Sequence, residues 1–84
     1  MNNKVLVEIL LPAAGQKYDV YIPLDNKMSD VVKLVAAALS DLSEGKYMAT
    51  DESVLCDADT GIIFNINTEV AELNIRNGSR LMLI

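Results

Sequence analysis

Between Met28 and Leu42 the apolar residues Met28, Val31, Val35, Leu39 and Leu42 recur at steps of three and four. That spacing predicts one amphipathic helix of about four turns. Ala36, Ala37 and Ala38 raise its helix propensity, Asp30 complements the dipole of its first turn, and Gly45 provides a stop just beyond it. Asn26 or Ser29 is the expected N-cap. A helix with one apolar stripe must bury that stripe against a second layer. The rest of the chain has to supply it.

The flanking segments read as strands. Lys4 to Leu11 is aliphatic except for Lys4 and Glu8. A lone carboxylate is costly to bury, so Val5, Val7 and Ile9 are expected inside and Leu6, Glu8 and Leu10 outside. Pro12 to Gln16 is a turn. Residues 17–24 alternate again, with Tyr18, Val20 and Ile22 as the apolar set. Ser53–Asp57, Ile62–Phe64 and Arg80–Ile84 read as three further strands, the first two joined through Asp59-Thr60-Gly61. Asn67 or Thr68 is expected to cap a helical turn through Glu72, and Asn77-Gly78 is a turn signal. The predicted order is β-β-α-β-β-short helix-β, an α+β fold with one helix on a mixed four- to five-stranded sheet.

Eighty-four residues make one domain, 1–84. So short a chain buries only about 60–65% of its unfolded surface and has little volume for an enclosed active site. The net charge of −5 disfavours a phosphate backbone as partner, and the seven basic residues form no run that would anchor a membrane. The single cysteine allows no internal disulfide. Met1-Asn2-Asn3-Lys4 does not open a signal peptide, and no apolar stretch is long enough to span a bilayer. The expected location is cytoplasmic, without direct membrane insertion, and the Asn77-Gly78-Ser79 sequon has no meaning there.

The predicted order, and above all Thr68 to Leu81, resembles the ubiquitin-like (β-grasp) superfamily over essentially the whole chain. In that superfamily a turn carrying Leu and Ile, here Leu73 and Ile75, seals the core before a last strand of alternating Leu. The short N-terminal hairpin, the Ile22-Pro23-Leu24-Asp25 lead-in to the helix and the ending Leu81-Met82-Leu83-Ile84 look most like the YukD/EsaB-type small proteins of Gram-positive bacteria. The resemblance implies a role as an accessory component of a type VII (WXG-family) secretion system, with a protein of the secretion machinery as partner. The superfamily's conjugated members and sulfur carriers end in a flexible Gly-Gly tail. This sequence ends in Leu83-Ile84, and its last glycine is Gly78. Neither conjugation nor sulfur transfer is therefore expected.

No catalytic site is expected. Histidine is absent, which removes the commonest general base and metal ligand. Asp57-Ala58-Asp59-Thr60-Gly61 resembles the nucleophile loop of haloacid-dehalogenase-type phosphatases. Those enzymes need lysine and acidic motifs downstream, and no lysine follows Gly61. A calcium loop fails too, because Thr68 stands where a glutamate is needed. A hairpin turn held by local hydrogen bonds is the better reading. Cys56 has no positive neighbour and Asp57 opposes its thiolate, so it reads as a small hydrophobe. No metal or cofactor is expected.

What remains is the outer face of the sheet. With Val5, Val7, Ile9, Val20, Ile22, Leu55, Leu81 and Leu83 inside, alternation places Leu6, Leu10, Tyr21, Cys56, Arg80, Met82 and Ile84 outside. An exposed apolar cluster on a small domain marks an interface. The expectation is a non-enzymatic protein-binding module, monomeric or weakly dimeric. The alternative is a homo-oligomerisation or signalling adaptor unrelated to secretion.

Overall fold

The computed structural model describes residues 3–84. Met1 and Asn2, the start of the segment examined for a signal peptide, lie outside the described residues. Strands β1 (Lys4–Leu11), β2 (Gln16–Pro23), β3 (Leu55–Asp57) and β4 (Arg80–Leu83) form one sheet in the order β2-β1-β4-β3. Helix α1 (Met28–Leu42) packs on one face of it. β1 pairs antiparallel with β2 and parallel with β4, and β4 pairs antiparallel with β3.

The hairpin forms where the sequence places it. Pro12–Ala14 makes a 3₁₀ turn, closed by Gly15 at φ +62°, and the Gly15 N–H donates to the Pro12 carbonyl at 3.1 Å. β1 then alternates as Glu8 requires. Val5, Val7, Ile9 and Leu11 are buried, while Leu6, Glu8 and Leu10 are only half-covered on the far side. Val7, Ile9, Leu11, Ile22, Leu55, Leu81 and Leu83 meet Met28, Val31, Val35 and Leu39 of α1 in one core. Each such aliphatic contributes about 1.5–3 kcal/mol relative to an exposed position. Val20, within the edge strand β2, is half-buried against this core.

Three local expectations are corrected. Leu42 is 57% exposed, and Val32 and Ala36 are buried in its stead. Leu42 is the last residue of α1, and burial runs from Leu39 past it to Ser43 and Tyr47. No side chain caps α1, whose N-cap residue is Lys27; Asn26 and Ser29 do not serve. The amides of Met28 and Ser29 donate instead to the carbonyls of Thr68 and Ile66, both at 2.9 Å. The later 3₁₀ turn, Val70–Leu73, follows Glu69, again without a capping side chain from Asn67 or Thr68. At the far end of α1 the Gly45 N–H returns to the Ser40 carbonyl at 3.0 Å, with Gly45 at φ +84°.

The segment 62–64 does not form a regular strand. It lies along the outer edge of β3, where the Asp57 N–H donates to the Ile62 carbonyl at 2.9 Å and the Phe64 N–H to the Leu55 carbonyl at 3.2 Å. Only Cys56 and Ile63 meet as a bridge pair. Among the described residues the sheet therefore has four strands.

Candidate protein-binding surface

The outer face divides into three rows running across the strands. The first holds Tyr21 and Leu6, which pair directly. The second holds Asp19, Glu8 and Arg80. The third runs Lys17, Leu10, Met82, Cys56, Ile63, from β2 across to the segment beside β3.

The middle row is ionic. Glu8 accepts from Arg80 Nε at 3.3 Å and faces Lys17 Nζ at 3.7 Å, while Arg80 Nη1 reaches Asp59 Oδ1 at 3.2 Å. These pairs are largely solvated, so each contributes less than about 1 kcal/mol. Their importance is positional, because they separate Leu6 and Tyr21 from the apolar row beyond. Tyr21 is 63% exposed.

The third row carries the apolar cluster. Leu10 and Met82 are half-exposed neighbours on adjacent strands. Met82 and Ile84 alternate onto the same face, and Ile84 is 54% exposed. Its backbone exchanges both hydrogen bonds with Val54, at 2.9 and 3.0 Å. Beside Leu10 and Met82 an open hollow of about 410 Å³ is closed on its far side by Pro12, Gly15, Gln16 and Lys17. The 3₁₀ turn of the hairpin forms that wall.

Cys56 is the clear departure from expectation. Alternation places it on the outer face, yet it is only 1% exposed. Met82 flanks it on one side and Ile63 on the other, and its thiol donates to the Met82 carbonyl at 3.7 Å. Burial pushes the Cys56 thiol pKa up, and the neighbouring Asp57 charge adds to the effect. Ile63, 57% exposed, presents the apolar surface in its place. The Ile62-Ile63 run was the available signal for it, but its position depends on backbone pairing with β3.

Of the seven residues expected on this face, Leu10, Met82 and Ile84 come together. Leu6 and Tyr21 lie across the ionic row, Arg80 belongs to that row, and Cys56 is beneath the surface. Asp57 is occupied in the turn: its Oδ1 accepts from the amides of Asp59 (2.8 Å) and Thr60 (3.1 Å), and its carbonyl accepts from Gly61 (2.8 Å). Among the described residues no three His, Cys, Asp or Glu side chains converge as a metal site. No described helix is long and apolar enough to cross a membrane.

Comparison of the structure with solved structures gives full-length matches. The ubiquitin-like domain of EccD1, a type VII secretion system protein of Mycobacterium tuberculosis, superposes with a TM-score of 0.77 at 17% identity, covering 96% of this chain and 97% of that one. The EccD5 ubiquitin-like domain from Mycobacterium xenopi gives 0.78 at 20% identity, covering 96% and 92%. The fold is ubiquitin-like. A chain of the MycP5-free ESX-5 inner membrane complex also matches, with a TM-score of 0.72 at 23% identity over 98% of this chain and 21% of that one. No protein-family model matches the sequence. No curated protein matches it either.

Proposed function

We propose that this chain is a non-enzymatic protein-interaction module that docks through the apolar part of its outer sheet face. The observation that carries the reading is the cluster of the partly exposed Leu10 and Met82 with the exposed Ile63 and Ile84, beside an open hollow and bordered by the Glu8–Arg80–Asp59 charges. An apolar centre with a polar border is the usual anatomy of a protein interface. Burial of the cluster supplies affinity, and the ionic row fixes orientation.

The proposed setting is a type VII-like secretion apparatus, with a cytoplasmic part of the machinery as partner. The likeness to EccD ubiquitin-like domains supports this, as does the finer resemblance to YukD/EsaB-type proteins carried by Ile22 to Asp25 and Leu81 to Ile84. Docking is non-covalent in this reading.

The test compares tagged wild type with Met82→Asp in pull-downs from the native host, both verified as folded by circular dichroism. A charge at the centre of an interface costs about 2 kcal/mol or more of binding. Loss of a secretion component from the folded variant is the expected result. Recovery of the same proteins by both forms would rule out the sheet face. A concentration-dependent wild-type dimer that Met82→Asp dissociates would favour the homo-oligomeric alternative.

A further inference from the structure

We infer that the Asn77-Gly78 turn is a self-modification site gated by β1: it deamidates when Leu6 releases it, and of the products only the aspartyl form fits back into the sheet.

The chemistry needs an asparagine followed by a residue with no side chain, so that the next main-chain nitrogen can approach the carboxamide without hindrance. The sequence holds one such step, Asn77-Gly78; every other asparagine precedes a residue with a side chain. The Gly78 nitrogen loses its proton to solvent base and bonds to Asn77 Cγ. The Cγ–Nδ2 bond breaks, and Nδ2 takes a proton from water and leaves as ammonia. Water then opens the cyclic imide. Breaking the new bond from nitrogen to Cγ leaves an aspartate in an unchanged main chain. Breaking the original peptide bond leaves an isoaspartate, whose main chain runs through Cβ and Cγ. Water enters, ammonia departs, and nothing is oxidised or reduced.

The fold holds both reacting groups apart. The turn runs from Arg76 to Ser79: the Ser79 N–H donates to the Arg76 carbonyl at 3.0 Å, and Gly78 sits at φ +88°, a type II arrangement. The Arg76 N–H donates to Ser79 Oγ at 2.9 Å and tightens it. One residue of β1 then grips the reacting pair. The Leu6 N–H donates to Asn77 Oδ1 at 2.8 Å, and the Gly78 N–H donates to the Leu6 carbonyl at 2.8 Å. Next along β1, the Glu8 N–H donates to the Ser79 carbonyl at 2.9 Å, where the parallel pairing with β4 begins. The Asn77 side chain thus supplies the acceptor that a strand carbonyl would supply. Ring closure requires the Gly78 proton to be removed and its nitrogen to turn toward Cγ. The Leu6 carbonyl holds that proton and the Leu6 N–H holds the carboxamide, so both bonds oppose closure. Leu6 and Asn77 are 71 positions apart, and the restraint exists only in the folded chain.

The products differ in what the sheet can take back. Aspartate keeps an oxygen where Oδ1 stood, ready for the Leu6 N–H. Isoaspartate lengthens the main chain between the groups that Leu6 engages, and a strand ladder does not absorb a displacement along its length. Modification therefore leaves a permanent mark on chains in which the turn has parted from β1.

The test incubates folded protein, the same protein in urea, and a peptide of residues 74–82 in mildly alkaline buffer, and follows acid formation at Asn77 by mass spectrometry. Deamidation of the folded protein is expected to be at least about tenfold slower than that of the peptide. The slowing should equal that of Gly78 amide hydrogen exchange, because one opening, fast relative to the chemistry, governs both. Urea is expected to restore the peptide rate. Ser79→Ala, which removes the acceptor of the Arg76 N–H, is expected to raise both rates together. Asn77→Asp should keep the Leu6 amide protected, whereas isolated isoaspartyl protein should lose that protection. Equal rates in folded protein and peptide would overturn the proposal, as would a slowing that Gly78 exchange does not match. So would an isoaspartyl form whose Leu6 amide is as protected as that of Asn77→Asp.

Discussion

Cys56 tests how far alternation alone can assign a surface. Its place in the pleat pointed outward although its residue type read as a small hydrophobe, and the paired strands keep the outward register. What removed it from solvent is Ile63, placed there by the bonds between β3 and segment 62–64. A buried thiol of raised pKa is expected to be inert. Native protein should be alkylated by iodoacetamide far more slowly than protein unfolded in urea, read by mass spectrometry. The raised pKa also has a linkage consequence. The thiol stays protonated in the folded state while the unfolded one ionises around its ordinary value of 9.0. Unfolding then releases a proton, so this contribution is intact below that pH and is lost as pH rises beyond it. Urea melts at pH 7 and above pH 9 should show wild type losing more stability than Cys56→Ala; equal losses would contradict the assignment. Asp57 makes a second test at this scale. Asp57→Ala, which removes the Oδ1 that accepts from both turn amides, is expected to cost about 1–2 kcal/mol, and Asp57→Asn much less.

At the scale of elements, the helix shows what periodicity conveys and what it omits. The three- and four-residue spacing located α1 and its buried face, because that information is local. It could not reveal that Leu42 is exposed while Ser43 and Tyr47 beyond it are buried, since this depends on how the chain packs after the helix. Leu39→Ala is expected to cost about 2–5 kcal/mol, and Leu42→Ala to stay within about 0.5 kcal/mol, both measured by urea denaturation. The start of α1 carries a related lesson. Good capping residues stand nearby, yet carbonyls of the 66–68 segment satisfy the first amides. First-turn amides of a helix commonly exchange early. Those of Met28 and Ser29 should instead be protected comparably to the helix interior, as native-state hydrogen exchange would reveal. Frayed exchange at both positions would mean that this lateral bonding does not persist.

Across the molecule, the order of helices and strands apart from segment 62–64, the inner face and the turns were legible from alternation, Pro and Gly. The partition of the outer face was not. Glu8 was recognisable as outward, but its alignment with Arg80 arises from the parallel pairing of β1 and β4, which join residues from opposite ends of the chain. That register converts a predicted seven-residue patch into an apolar cluster, an ionic row and an isolated Tyr21–Leu6 pair. Because the pairs in that row are exposed, Glu8→Gln should change stability by less than about 1 kcal/mol. Its effect should appear in partner orientation instead, as a reduced association rate that depends weakly on salt. A large stability loss would mean that the row holds the sheet together. All elements share one core, so thermal unfolding is expected as a single transition by circular dichroism and fluorescence alike.

The covered edge of β3 has a consequence for valency. A sheet with two open edges can add copies of itself without limit, and the product is a fibre. Here segment 62–64 terminates growth at one end, leaving a single point of attachment. Edge-to-edge pairing of two such chains consumes both open edges and closes on itself as a symmetric pair. An encounter between two copies through this sheet edge would therefore end at two bodies.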